Sequence, residues 1–245
     1  MSNFSRRKLI TTAIAATAGG TAAAGIADYN GLIPPDSGGI FGPGETLTYV
    51  AQRLLTGQAH AREFPRTKIS KSPYPNGKPP KDDVFRRLES AQFADWKLTI
   101  SGMVERPASF SLAELKALPA STQITQLACE EGWTYIAEWY GVQLSHLLKL
   151  VGASGQAKYV VYGTPPIENA IWDSIDIQDA LHPQTLISYG MNGTDLPVPF
   201  GGPLRIRVPR QLGYKSVKYL ASLTVTDKLS GSGGSDSSYS WYAGI

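Results

Sequence analysis

A single cysteine, Cys129, stands among 245 residues, so no internal disulfide can form. Histidine is equally scarce. His60, His146 and His182 are scattered without H-x-x-x-H spacing, which gives weak support to a protein-built zinc site. No G-x-G-x-x-G follows a strand pattern and no Walker sequence occurs, so nothing speaks for a nucleotide. There is no basic stripe, and nucleic acid is not an expected partner. There is no internal repeat. Charged residues make up only 18% of the chain and hydrophobic ones 42%, as in a globular protein. Residues 1–27 contain no acid, and their only charges are Arg6, Arg7 and Lys8. Without them the formal net charge falls from +3 to about 0, so the overall pI of 8.9 describes the leader more than the rest.

What is present at the N-terminus is a targeting pattern. Ser5-Arg6-Arg7-Lys8-Leu9-Ile10 precedes a weakly apolar run rich in Ala, Thr and Gly, with small residues that offer cleavage sites after Ala24 or Ala27. Paired arginines in that setting predict the twin-arginine route and a periplasmic location. A membrane anchor is disfavoured because the run is short of the roughly 20 residues a span needs. The twin-arginine route carries folded proteins, which fits a cofactor loaded before export. Four regions are expected. They are a signal segment over 1–27, a linker and loop region over 28–82, one domain over 83–229, and a Ser/Gly-rich tail over 230–245 whose Trp241-Tyr242 end can dock back.

Short elements follow one another without regular βαβ alternation. Apolar residues at 47, 50, 51, 54 and 55 predict a helix, and residues 84–88 a single helical turn. Ser72-Pro-Tyr-Pro-Asn-Gly-Lys-Pro-Pro80 must be loop because of its four prolines. Strands are expected over 96–102, 122–128, 158–162, 185–191 and 220–225. The alternating run 203–208 sets Arg205 and Arg207 on one face and Leu204, Ile206 and Val208 on the other. Ser111-Leu-Ala-Glu114 is a capping box, Gly152 ends a helix begun at Leu144, and Asp176 caps a helix over 177–181. Trp139-Tyr-Gly-Val142 is expected to turn, and Asn192-Gly193 to close a hairpin. The fold class is α+β, mainly β.

Cys129 ends the apolar run Ile124–Ala128 and is followed by Glu130, Glu131, Gly132 and Trp133. In an oxidising compartment an exposed spare thiol is a hazard, so it is either a small buried hydrophobe or a held thiolate. A nucleophilic cysteine with His146 or His182 as base is a further alternative. A thiolate on a metal whose other ligands belong to a cofactor needs only one protein ligand. Residues 202–218 hold five positive charges, and arginine forks, lysines and backbone amides together suit a phosphate. Arg205 and Lys218 are assigned to ligand binding there, and Arg207 and Arg210 to a solvated face.

Four blocks carry a resemblance: Cys129-Glu-Glu-Gly-Trp133, Trp139-Tyr-Gly-Val-Gln-Leu144, Leu181–Gly193 and Gly201–Tyr219. From about Trp96 to Asp227 the chain resembles the molybdopterin-binding domain of the sulfite oxidase superfamily, nearest its bacterial periplasmic methionine sulfoxide reductase branch. The resemblance implies a single domain of mixed sheets and short helices and a molybdenum–molybdopterin cofactor. It implies Cys129 as the metal ligand, with Asn76, Thr164, Arg205, Ser216, Val217 and Lys218 touching the pterin or its phosphate. Tyr189 stands where sulfite oxidases keep an active-site tyrosine. Sulfite oxidases place arginine after the cysteine, whereas Glu130, Glu131 and Thr134 stand here, and carboxylates repel sulfite. The implied reaction is oxygen-atom transfer on a small sulfur-containing or related substrate, and a neutral sulfoxide suits these charges. A pterin-binding module without turnover is the rival from another class. No haem motif is present, so a membrane-bound haem or quinol-linked partner, or a soluble cytochrome, is expected to exchange electrons. No dimerisation domain follows Val225, so a monomer is expected.

Overall fold

The computed structural model describes residues 32–37, 40, 42–229 and 239–244. The signal segment and most of the Ser/Gly-rich tail lie outside the described residues. Two compact units are formed, one through Thr56 and one from Gly57 onward. The first contributes helix α1 (Gly42–Thr56), with Glu45 in its first turn and Arg53 in its last, each matching the helix dipole. Leu47, Leu54 and Leu55 on α1 are exposed. No helix among the described residues is long and apolar enough to cross a membrane.

The second unit runs α2 (Asp83–Ser90), β1 (Lys97–Gly102), β2 (Ala108–Ser111), α3 (Leu112–Ala117), β3 (Ala120–Ala128), β4 (Thr134–Gln143) and α4 (Leu144–Val151). It continues with β5 (Tyr159–Gly163), β6 (Trp172–Asp176), α5 (Ile177–Leu181), β7 (Leu186–Met191), β8 (Thr194–Asp195), β9 (Arg205–Arg207) and β10 (Ser222–Thr226). Two sheets result. One has the order β2-β1-β10-β5-β6, and the other β3-β4-β7-β8 with β9 also on β7. The main apolar core includes Leu98 and Ile100 of β1, Leu144 and Leu147 of α4, Val160 of β5 and Leu223 of β10. A smaller core joins Leu127 to Tyr135, Trp139 and Met191.

Local signals act where the sequence placed them. In the capping box the Glu114 amide donates to Ser111 Oγ at 3.2 Å, and the Ser111 amide donates to Glu114 Oε2 at 2.7 Å. Asp176 Oδ1 accepts from the Asp179 amide at 2.8 Å. Gly152 stops α4 with φ 67°, and Asn192-Gly193 close the β7–β8 hairpin with φ 52° and 82°.

Two expectations are corrected. Trp139–Val142 is not a turn but the interior of β4. Gly141 sits at a register shift against β7, where a Cβ would lie 2.1 Å from the Ile187 carbonyl oxygen. Glycine there answers a close approach of two backbones, not a reversal of the chain. Second, Arg207 and Arg210 are not solvated: Arg207 is fully buried and Arg210 nearly so. Both faces of β9 are covered, so its alternation carries no exposed side. Residues 57–82, expected as linker and loop, also touch the β3–β4 pair. Glu63 bridges Thr125 of β3, and the Ser70 amide donates to the Ile136 carbonyl of β4 at 2.9 Å.

Candidate cofactor and active site

Strands β3 and β4 pair without interruption from Ala120–Val142 to Ala128–Thr134, and their connection presents Cys129. The Cys129 amide donates to the Trp133 carbonyl at 3.0 Å, and the Gly132 amide to the Cys129 carbonyl at 3.1 Å. Gly132 adopts φ 89°, which lets the chain reverse over so few residues. The turn brings both acids to the thiol, with Sγ 3.4 Å from Glu130 Oε2 and 3.9 Å from Glu131 Oε2. Partial burial, then the two carboxylates, push the thiol pKa up to about 11. Glu131 also accepts from Trp133 Nε1 at 2.7 Å, and the Trp133 ring stacks on Tyr135 with centroids 6.1 Å apart.

Cys129 opens onto a cavity of about 330 Å³. Asn76, Thr164, Arg205, Ser216, Val217 and Lys218 line the same cavity. These residues come from the proline-rich loop, the end of β5, β9 and the segment before β10, so only the folded chain assembles them. Asn76 holds φ 42° at the tip of its loop. Thr164 Oγ1 accepts from the Ile171 amide at 3.1 Å, closing the β5–β6 connection along the wall. Tyr189 is not brought there. It is buried, packs edge-on against Tyr140 at 5.5 Å, and lines a separate hollow of about 280 Å³ with Pro203.

The cationic wall is built with care for donors but without acids. Arg205 donates from Nε to the Ser216 carbonyl at 2.8 Å and from Nη1 to the Phe200 carbonyl at 2.9 Å. Arg207, behind it, reaches Ser216 Oγ at 2.9 Å and the Gln126 carbonyl at 3.0 Å, while its buried Nε meets no acceptor. Lys218 gives its ammonium to the carbonyls of Pro75, Asn76 and Pro199. Gly201, at φ 106°, leaves room for the Lys218 stem, which a Cβ would meet at 2.9 Å. Among the described residues, no carboxylate lies within 4.0 Å of Arg205, Arg207 or Lys218. Burial, and then the neighbouring Arg205, hold Arg207 down to about 9 and Lys218 to about 7. Burial lowers Arg205 as well. Buried cations without an anion are costly, so this wall is complementary to a bound anion.

Among the described residues, no histidine lines the cavity. No group of three or more His, Cys, Asp or Glu among the described residues could hold a metal. The donor set offers one sulfur on one side and cations on the other. That pattern fits a metal held mainly by a phosphate-bearing organic cofactor.

The family model described as "Oxidoreductase molybdopterin binding domain" matches residues 86–232. The chain belongs to this family. A putative protein-methionine-sulfoxide reductase subunit YedZ1 from Azospira oryzae is 38% identical over 181 residues, covering 74% of this chain and 66% of that protein. The protein-methionine-sulfoxide reductase catalytic subunit MsrP of Xanthomonas campestris pv. campestris is 33% identical over 162 residues, 61% of this chain and 50% of its own. The chain thus spans about half to two thirds of the length of these relatives. Among solved structures, the sulfane dehydrogenase SoxCD from Paracoccus pantotrophus matches with a TM-score of 0.52 and 25% identity, over 55% of this chain and 39% of that one. The α+β architecture, with its two sheets and short helices, is the sulfite-oxidase-type molybdopterin domain. The family's cofactor is molybdopterin.

Sequence reasoning did not single out Tyr135, Tyr214 or Tyr239 as site residues, yet all three line the cavity. For Tyr135 the signal was available. Once β4 is recognised as the partner of β3, Trp133 and Tyr135 fall on the same face.

Proposed function

We propose that this chain is a molybdenum-dependent oxidoreductase that transfers an oxygen atom at sulfur, reducing a small neutral sulfoxide. The supporting observation is the meeting of the only thiol with the buried Arg205 and the half-buried Lys218, neither paired with a carboxylate among the described residues, across one cavity of about 330 Å³. In this reading the Cys129 thiolate is the protein's ligand to the metal. Arg205, with Ser216, Val217 and Lys218, holds the pterin phosphate, and Asn76 and Thr164 line the path between. When bound, the cofactor supplies the two-electron chemistry at the substrate sulfur.

The chain's own residues do the rest. Arg205 keeps one edge of its guanidinium fixed by two carbonyls, so its remaining donors are pre-aimed at the phosphate. Glu130 and Glu131 set a negative field at the thiol that disfavours sulfite and other anions. Trp133 and Tyr135 give an apolar wall for the substrate's carbon groups. The net reaction consumes a sulfoxide, two electrons and two protons, and yields a sulfide and water. Electrons come from a membrane-bound haem or quinol-linked protein, and the site of action is the periplasm, reached by the twin-arginine route. Both assignments rest on the leader motif and on the reductase-subunit names of the relatives.

The cysteine-hydrolase alternative is disfavoured, because no histidine among the described residues lines the cavity and the thiol pKa is raised rather than lowered. Elemental analysis of the exported protein tests the proposal. About one molybdenum per chain, lost in Cys129→Ser and in a pterin-deficient host, is expected for a single cysteine ligand. Well-folded exported protein without molybdenum overturns it.

A further inference from the structure

Residues 239–244 return to the second unit and carry to the cavity a side chain that the reaction above does not use. Trp241 anchors them. It is 1% exposed, packs edge-on against Tyr159 at 5.7 Å, and donates from Nε1 to Ser174 Oγ at 2.8 Å. The Lys215 ammonium lies 5.4 Å from its ring centroid. The backbone is tied on both sides of the anchor. Tyr214 Oη donates to the Ser240 carbonyl at 2.6 Å, and the Leu212 amide donates to the Ala243 carbonyl at 3.1 Å. Gln211 and Gly244 form a further bridge.

This anchorage fixes Tyr239. Its ring stacks on Tyr214 at 5.0 Å with an interplanar angle of 18°, and it lines the same cavity as Cys129. The nearby Glu130 carboxylate raises the pKa of the Tyr239 hydroxyl. Tyr239 remains 39% exposed, so it occupies the rim between cavity and solvent. A ring stacked on Tyr214 and tethered through Ser240 and Trp241 at a rim narrows the way in.

We propose that Tyr239 is a specificity-determining residue at the cavity rim: its ring limits the size of what reaches Cys129, and Trp241 holds it in place. The consequence for substrate choice, small sulfoxides over bulky ones, rests on the reading given above. The restriction on access to Cys129 does not.

The only thiol in the chain reports that access directly. Full-length protein from a pterin-deficient host is alkylated with iodoacetamide and, separately, with a bulky aryl maleimide. The ratio of the two rates cancels any change in thiolate fraction, because both reagents consume the thiolate. Tyr239→Ala is expected to raise the maleimide-to-iodoacetamide ratio by about threefold or more, and Tyr239→Phe to leave it unchanged. Trp241→Ala, where it folds, is expected to follow Tyr239→Ala. An unchanged ratio in Tyr239→Ala overturns the proposal. So does an equal rise in Tyr239→Phe, which would assign the effect to the hydroxyl and Glu130. Absence of molybdenum from the exported chain would defeat the oxidoreductase reading and leave these ratios intact. In the loaded enzyme, Tyr239→Ala is expected to raise kcat/KM for a peptide sulfoxide relative to dimethyl sulfoxide.

Discussion

Arg205 and Arg207 are held in the interior by carbonyls and hydroxyls, with no carboxylate beside either among the described residues. Such an arrangement stabilises an occupied site more than an empty one. Arg205→Met should therefore leave the cofactor-free protein within about 1 kcal/mol of the parent in urea unfolding, the lost hydrogen bonds being offset by relief of a buried charge. The same substitution should weaken retention of molybdenum during dialysis by about tenfold or more, because the charge-assisted phosphate contact proposed for Arg205 would be gone. A large stability loss with normal metal content would make Arg205 a structural residue instead. His182 gives a second test at this scale. It is buried, and its Nδ1 accepts from the Gln184 amide at 3.2 Å while its Nε2 finds no partner. Burial, and then the nearby Arg210, lower its pKa from 6.5 to about 4. The unfolded chain thus takes up this proton before the folded one does. The contribution is complete above pH 6.5 and is lost as pH falls towards 4. Urea midpoints measured from pH 7 to pH 4 should show the parent losing more stability than His182→Gln.

At the scale of the element, β4 is the strand on which the site depends. It pairs with β3 on one side and β7 on the other. Its place was hidden in the sequence by Gly141, because a glycine marks a chain reversal and a tight backbone contact alike. Here it is the contact that matters, and Gly141→Ala would drive a Cβ into the Ile187 carbonyl and Ser188 Cα, which are backbone and cannot rotate away. The expected loss is about 3 kcal/mol or more, seen as a fall in Tm or as insoluble protein. β6 was unread for a related reason. Its residue types do not mark a strand, because Asp173 is buried against Lys215 at 2.6 Å and Asp176 caps α5, pairings that only the fold supplies for Asp173. β9 gave the converse error. Its arginines alternate with aliphatics as on a half-wet strand, yet both faces are covered. By contrast β3, the capping box at Ser111 and the Asn192-Gly193 hairpin were legible, since each depends on residues adjacent in the chain. Among candidate site residues, Cys129, Arg205 and Lys218 were singled out by chemical type and by family resemblance, and the fold brings the three to one cavity. Tyr239 was not, since only the anchorage of Trp241 brings it to the cavity.

At the scale of the whole molecule, the cavity has two sides of different origin. The sulfur side comes from one hairpin whose strands are joined by Cys129–Trp133. The cationic side needs the loop at Pro75 and Asn76 to meet Lys218, which is 143 positions distant from Pro75. Local pairing closes quickly, and distant pairing must first overcome a larger loop entropy. Pulsed hydrogen exchange during refolding should thus find the amides of β3 and β4 protected before those of β9 and β10. Simultaneous protection of all four would show that the two sides form in one step. If the order holds, a chain emerging from the ribosome displays a nearly finished thiol turn well before it has synthesised the residues that would grip a phosphate. On the proposed reading, cofactor insertion then waits until translation has passed Lys218.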